Sequence, residues 1–227
     1  LLGGIAEPNF EAIGKAKPDL IGVDGTSINN NPPVIEALRA IAPTAYVGYA
    51  GGDWRYTFTT LADVVNKQDE AKQLTDDFDA SLERVKAAYD PAQKAMAINV
   101  SGGEIGYIAP GKGRTLGPIF TDAGLTPALE VEESSDNHEG DEISVEAIAA
   151  SNPEWILVMD RSAAVDADNP EFKPAAEVIE ASEALKNVPA VQKGQIVYMP
   201  ADTYTNESIQ TYTEFLNDFA DALEAAK

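Results

Sequence analysis

The chain says nearly the same thing twice. Glu11-Ala12-Ile13, four residues, then Pro18-Asp19-Leu20-Ile21-Gly22-Val23 recurs as Glu146-Ala147-Ile148, four residues, then Pro153-Glu154-Trp155-Ile156-Leu157-Val158, so that residues 11 and 18 return as 146 and 153 at a constant offset of 135. In each copy an amphipathic segment stops at a proline, which cannot continue a helix, and an apolar run follows: helix, tight turn, buried strand. The echo extends further. Glu36-Ala37-Leu38-Arg39-Ala40-Ile41 precedes a strand-like Ala45 to Tyr49, and Glu183-Ala184-Leu185-Lys186-Asn187-Val188 precedes Ile196 to Met199. A period this long is not that of a solenoid. It predicts an α/β chain of two similar lobes, each a mostly parallel sheet flanked by helices. Ligand groups are expected at the carboxyl ends of the strands and in a cleft between lobes.

Between the copies, the pattern from about Leu61 to Tyr89 is helical, with Leu74, Phe78, Leu82, Val85 and Tyr89 on one stripe. A helix of that length reaches about 40 Å, enough to join two lobes. The expected organisation is a first lobe over 1–66, an inter-lobe helix over 67–90 and a second lobe over 91–227, with the final helix, from about Glu207, packing back. Further strands are expected at Lys94 to Val100, Ile105 to Ala109 and near Ala128 to Val131. Gly51-Gly52-Asp53-Trp54-Arg55-Tyr56 reads as a flexible turn presenting two aromatics and a cation.

Charge narrows the function. Asp and Glu number 38 against 16 Lys and Arg, a formal charge of −22, which argues against nucleic acid or an anionic membrane surface as partner. There is no cysteine, so disulfides, thiolate metal sites and cysteine nucleophiles are excluded. No run of about 18 apolar residues occurs. The opening Leu1-Leu2-Gly3-Gly4 lacks the basic flank and apolar length of a signal peptide.

A small set of side chains can carry chemistry. Pro110-Gly111-Lys112-Gly113-Arg114 lacks the glycine spacing and Lys-Ser/Thr ending of a phosphate loop. Lys112 and Arg114 either meet an anionic ligand or form a solvated basic turn. Arg161 follows the apolar Ile156-Leu157-Val158-Met159 and either meets a ligand or pairs with Asp160 or another acid. His138 is the one side chain with an ordinary pKa between about pH 5 and 8; in its acidic segment it is either a ligand or simply exposed. Trp54 and Tyr56 line a site or cover a turn, and Tyr204, before the last helix, has the same two readings. No zinc-site spacing and no hydrolase motif occurs.

The residues resemble a known family. Glu7-Pro8-Asn9-Phe10-Glu11-Ala12-Ile13 through Lys17-Pro18-Asp19-Leu20-Ile21, Ile41-Ala42-Pro43-Thr44, and Asn152-Pro153-Glu154-Trp155-Ile156-Leu157-Val158-Met159-Asp160-Arg161 are similar to the substrate-binding proteins of ABC importers for ferric siderophores, haem and cobalamin, whose lobes are joined by one long helix. The Asp-Arg after the second repeated strand resembles the ferric-catecholate branch. The resemblance implies a non-enzymatic, extracytoplasmic, periplasmic or lipid-anchored monomer. It has no permanent cofactor, carries a ferric siderophore, catecholate or mixed, and hands it to an ABC permease. It implies that Arg114 and Arg161 bind anionic oxygens and that His138 and Tyr204 ligate iron when the siderophore leaves positions open; beside them, Lys112 is expected to add charge at the ligand, and Trp54, Arg55 and Tyr56 to close the first-lobe side. Haem or cobalamin is the alternative cargo, and an α/β metal-cofactor enzyme the alternative class, disfavoured because no cysteine can hold a cluster. Two departures stand out. Gly25-Thr26 replaces the arginine expected after the first repeated strand, so Arg55 substitutes for it or the pocket takes a less anionic ligand. Relatives also carry a further βα unit and a lipoprotein signal before Glu-Pro-Asn, and a missing beginning is the expectation.

Overall fold

The computed structural model describes residues 2–4, 7–25, 31–49, 53–113, 115–132, 141–165 and 167–227. They divide into two compact units, Leu1–Leu74 and Thr75–Lys227. The repeat is real in the backbone. Helix α1 (Phe10–Ala16) opens with Asn9 accepting from the Ala12 amide and closes on Lys17 in the left-handed region, φ 48°. At the same offset, Ser144 caps α6 (Val145–Ala150) through the Ala147 amide, and Asn152 takes φ 52°. Each cap satisfies an orphan amide, and each left-handed residue turns the chain into the proline that precedes the following strand.

In the first unit, β1 (Ile21–Asp24) pairs in parallel with β2 (Thr44–Gly48), and α2 (Val34–Arg39) connects them. Ile13, Val23, Val34 and Leu38 form its small core. Helix α3 (Trp54–Val64) follows, capped by the Asp53 carboxylate on the Tyr56 amide. The single helix expected from Leu61 to Tyr89 is interrupted. Asn66 adopts φ 55° and the Lys67 amide reaches back to the Ala62 carbonyl, a helix stop that asparagine tolerates at little steric cost. Helix α4 (Gln68–Ala88) then carries the chain from the first unit into the second. The two aromatics and the cation expected on a flexible turn therefore sit in the first turn of α3.

The second unit is built on a sheet whose strands lie in the order 141–142, 104–108, 94–101, 155–160 and 196–198. Strands β3 (Lys94–Ser101), β7 (Trp155–Asp160) and β8 (Ile196–Tyr198) are parallel, while β4 (Glu104–Ile108) and β6 (Asp141–Glu142) run antiparallel at one side. All six residues of β7 are buried, as expected of a central strand covered on both faces. The strand expected near Ala128 to Val131 is shorter and earlier, β5 (Thr126–Pro127), which pairs with the start of β3. Helices α5 (Leu116–Asp122), α7 (Arg161–Val165), α8 (Ala175–Ala181), α9 (Pro189–Lys193), α10 (Thr203–Asn206) and α11 (Ile209–Ala225) complete it. The apolar stripe of α11 buries Phe215, Leu216, Phe219 and Leu223, and Phe219 meets Trp155 edge to face at 5.5 Å. Arg84 of α4 binds Glu224 and Asp221 of α11.

Candidate functional site

The carboxyl ends of β3 and β7 gather polar side chains. Strand β3 ends at Ser101 and turns through Gly102 (φ 59°) and Gly103 (φ 83°) into β4, a two-residue hairpin that demands positive φ at both positions. Next to it, β7 passes directly into α7. Asp160 is buried, and its carboxylate accepts from the Ala163 amide at 2.9 Å and the Ala175 amide at 2.7 Å. One carboxylate thus caps α7 and fastens the start of α8, fixing the backbone from which Arg161 leaves.

Arg161 is mounted on two hydroxyls. Its Nη1 donates to Ser101 Oγ at 2.9 Å and its Nε to Tyr204 Oη at 2.9 Å, with the guanidinium carbon 5.4 Å from the tyrosine ring centroid. Ser162 Oγ in turn accepts from the Gly102 amide at 2.7 Å. A long, rotamer-rich cation is thereby held in one orientation before any ligand arrives, which reduces the ordering cost of binding. A depression of about 640 Å³ adjoins, lined by Gly102, Gly103, Ser162, Phe172 and Lys173 among others. That lies within the roughly 300–1,000 Å³ of small-molecule sites.

The other expected site residues fall elsewhere. Lys112 is exposed on the turn after β4, where the Gly113 amide bonds back to the Ala109 carbonyl at 2.8 Å. A Cβ at Gly113 would lie 2.6 Å from Ile108 Cγ2, so this tight return accepts only glycine. Thr115, immediately after Arg114 in sequence, is held at φ 72°, ψ −75°, an outlier for a β-branched residue. In the first unit, the Arg55 guanidinium lies 4.6 Å from the Trp54 ring centroid and Tyr56 is 58% exposed. Arg114 and His138 lie outside the described residues. Among the expected site residues, the structure brings Arg161 and Tyr204 into direct contact. Tyr204, expected in a loop, lies on α10. Ser101 was not anticipated: a serine closing a strand carries no signal of its own, and its partner is 60 residues away. Among the described residues no group of three or more His, Asp or Glu is placed to hold a metal ion, and no helix is long and apolar enough to cross a membrane.

A largely parallel sheet that carries one oriented guanidinium and its hydroxyl partners at the carboxyl ends of its strands is the construction of a ligand-binding protein. The chain belongs to the periplasmic binding protein family, whose model matches residues 1–203. It is 26% identical over 230 residues to the petrobactin-binding protein YclQ of Bacillus subtilis, an alignment covering 98% of this chain and 68% of the relative. It is 27% identical over 229 residues to the ferric-anguibactin-binding protein FatB of Vibrio anguillarum, covering 96% and 67%. The solved structure of the siderophore-binding protein BauB, bound to a complex between two molecules of acinetobactin and ferric iron, superposes with a TM-score of 0.75 at 26% identity, covering 98% of this chain and 77% of that one.

Proposed function

We propose that this protein captures a ferric siderophore, catecholate or mixed, outside the cytoplasm and delivers it to the permease of an ABC importer for iron uptake. It acts as a lipid-anchored or periplasmic monomer and makes or breaks no covalent bond. The observation that carries the reading is the Arg161 guanidinium fixed by Ser101 and Tyr204 at the carboxyl ends of the parallel strands. A planar cation held ready there suits the anionic oxygens of a ferric catecholate. The names of YclQ, FatB and BauB support the cargo. In this reading Arg114 and Lys112 add positive charge, Trp54, Arg55 and Tyr56 contribute from the first unit, and His138 and Tyr204 complete the iron shell when the siderophore supplies four donors. The net charge of −22 does not oppose an anionic cargo. Distant surface charge is screened beyond about 8 Å at physiological salt, whereas the site's cations act at contact.

Intrinsic tryptophan fluorescence tests this across ferric siderophores, haem and cobalamin. Trp155 is 1% exposed, so quenching by contact reports on Trp54. Saturable quenching by ferric siderophores supports the reading, and quenching by haem or cobalamin alone overturns it. Direct ligation by Tyr204 would add a visible charge-transfer band, and Tyr204→Phe would weaken a tetradentate complex far more than a hexadentate one.

A further inference from the structure

The repeat assigns a role to a place where the first unit departs from the second. At the offset of 135, Gly25 and Thr26 correspond to Asp160 and Arg161. The second unit puts a capped carboxylate and a cation there; the first puts a glycine. The structure shows why no side chain stands at position 25. A Cβ on Gly25 would lie 2.6 Å from Tyr49 Cβ and 3.0 Å from Tyr46 Oη. Its neighbour across the ladder behaves alike: Gly48, which pairs with Asp24, takes φ +109°, and a Cβ there would lie 3.1 Å from the Tyr56 ring and 2.7 Å from Thr57 Oγ1. Three tyrosines thus close in on two bare backbone positions at the carboxyl ends of β1 and β2.

These tyrosines stay open to solvent. Tyr46 is 43%, Tyr49 47% and Tyr56 58% exposed, and the Trp54 ring with its stacked Arg55 lies in the same helical turn as Tyr56. Exposed aromatics scattered singly need no explanation, but three gathered at a strand end do. We infer that Tyr46, Tyr49 and Tyr56 form an aromatic platform that stacks on the planar aryl rings of the ligand. The repeat-equivalent position that carries a cation in the second unit is ringed by aromatic faces in the first. The inference rests on the siderophore reading and narrows it to aryl-bearing siderophores, because flat π-faces gain from offset or edge contact with other rings and offer nothing comparable to an aliphatic carboxylate.

The test compares ferric bacillibactin, a triscatecholate, with ferric citrate, which has no ring, on the full chain carrying Tyr46, Tyr49 or Tyr56 changed to Ala or to Phe. Each Ala variant is expected to weaken ferric bacillibactin by roughly 3- to 10-fold, the worth of one aromatic pair, while each Phe variant stays within about 2-fold. Ferric citrate should bind the wild type weakly or not at all, and no variant should change that by more than about 2-fold. If the Ala variants keep full affinity for ferric bacillibactin while Arg161→Ala loses it, the platform is refuted and the siderophore reading stands. If neither ferric complex binds the wild-type chain, the siderophore reading falls and takes the platform with it. Equal losses for both complexes would make the tyrosines a scaffold and refute the stacking role.

Discussion

Asp160→Asn isolates the element on which the arginine site is built. Both carboxylate oxygens accept backbone amides, Ala163 at 2.9 Å and Ala175 at 2.7 Å. An asparagine keeps one acceptor and turns an NH2 toward the other amide, so one charge-assisted bond weakens and the other becomes a donor facing a donor. Hydrogen bonds to charged groups contribute roughly 1.5–3 kcal/mol, and an unpaired buried amide costs about 1–3 kcal/mol. A loss of about 2–4 kcal/mol follows, which for a unit of this size lowers Tm by about 5–15 °C. Asp160→Ala should lose more. Urea unfolding with a fitted m-value measures it, because a shifted midpoint at constant m reports stability alone. A change below about 0.5 kcal/mol would refute the idea that this carboxylate fastens α7 and α8.

Three further outcomes are expected. Arg161→Ala should lower affinity for the bound ferric siderophore by roughly 1.5–3 kcal/mol, one to two decades, with little effect on Tm; unchanged affinity with a sharp fall in Tm would make Arg161 a structural group. Glu224 is held below its ordinary value of 4.5 by the hydrogen bond from Arg84. The stability it contributes is therefore full above that value and lost as pH falls through the lower folded pKa, so Glu224→Gln should flatten the acid limb of a Tm–pH curve. Burial pushes the Tyr107 phenol from 10.0 up to about 12, with Glu130 and Asp141 adding to the shift. Its contribution is present below pH 10 and lost as pH rises toward the folded value, and Tyr107→Phe should remove that part of the alkaline decline.

Much of the fold is legible in the sequence because the repeat is a local signal. The caps at Asn9 and Ser144, the left-handed turns at Lys17 and Asn152 and the prolines after them are encoded within a dozen residues each. The break at Asn66 falls in the polar run Asn66-Lys67-Gln68-Asp69-Glu70, where Lys67, Gln68 and Glu70 favour helix and no glycine or proline marks a stop; the stripe residues Phe78, Leu82 and Val85 belong to α4, while Leu61 belongs to α3. The short helices at Arg161 and Tyr204 were hidden for a different reason. Asp160 holds α7 through a bond to Ala163 and a second to Ala175, 15 residues on, and only the folded chain supplies that partner. The candidate site divides along the same line. Arg161 was marked by its place after a buried strand, whereas Ser101, Tyr46 and Tyr49 emerge only when strand ends meet in space.

The central claim is cargo recognition, and calorimetric titration of the full chain with ferric bacillibactin, the iron-free siderophore and haem tests it most directly. The account predicts sub-micromolar affinity for the ferric complex, markedly weaker binding of the iron-free siderophore and no measurable binding of haem. Haem binding as tight as the ferric siderophore, or tighter, would contradict it.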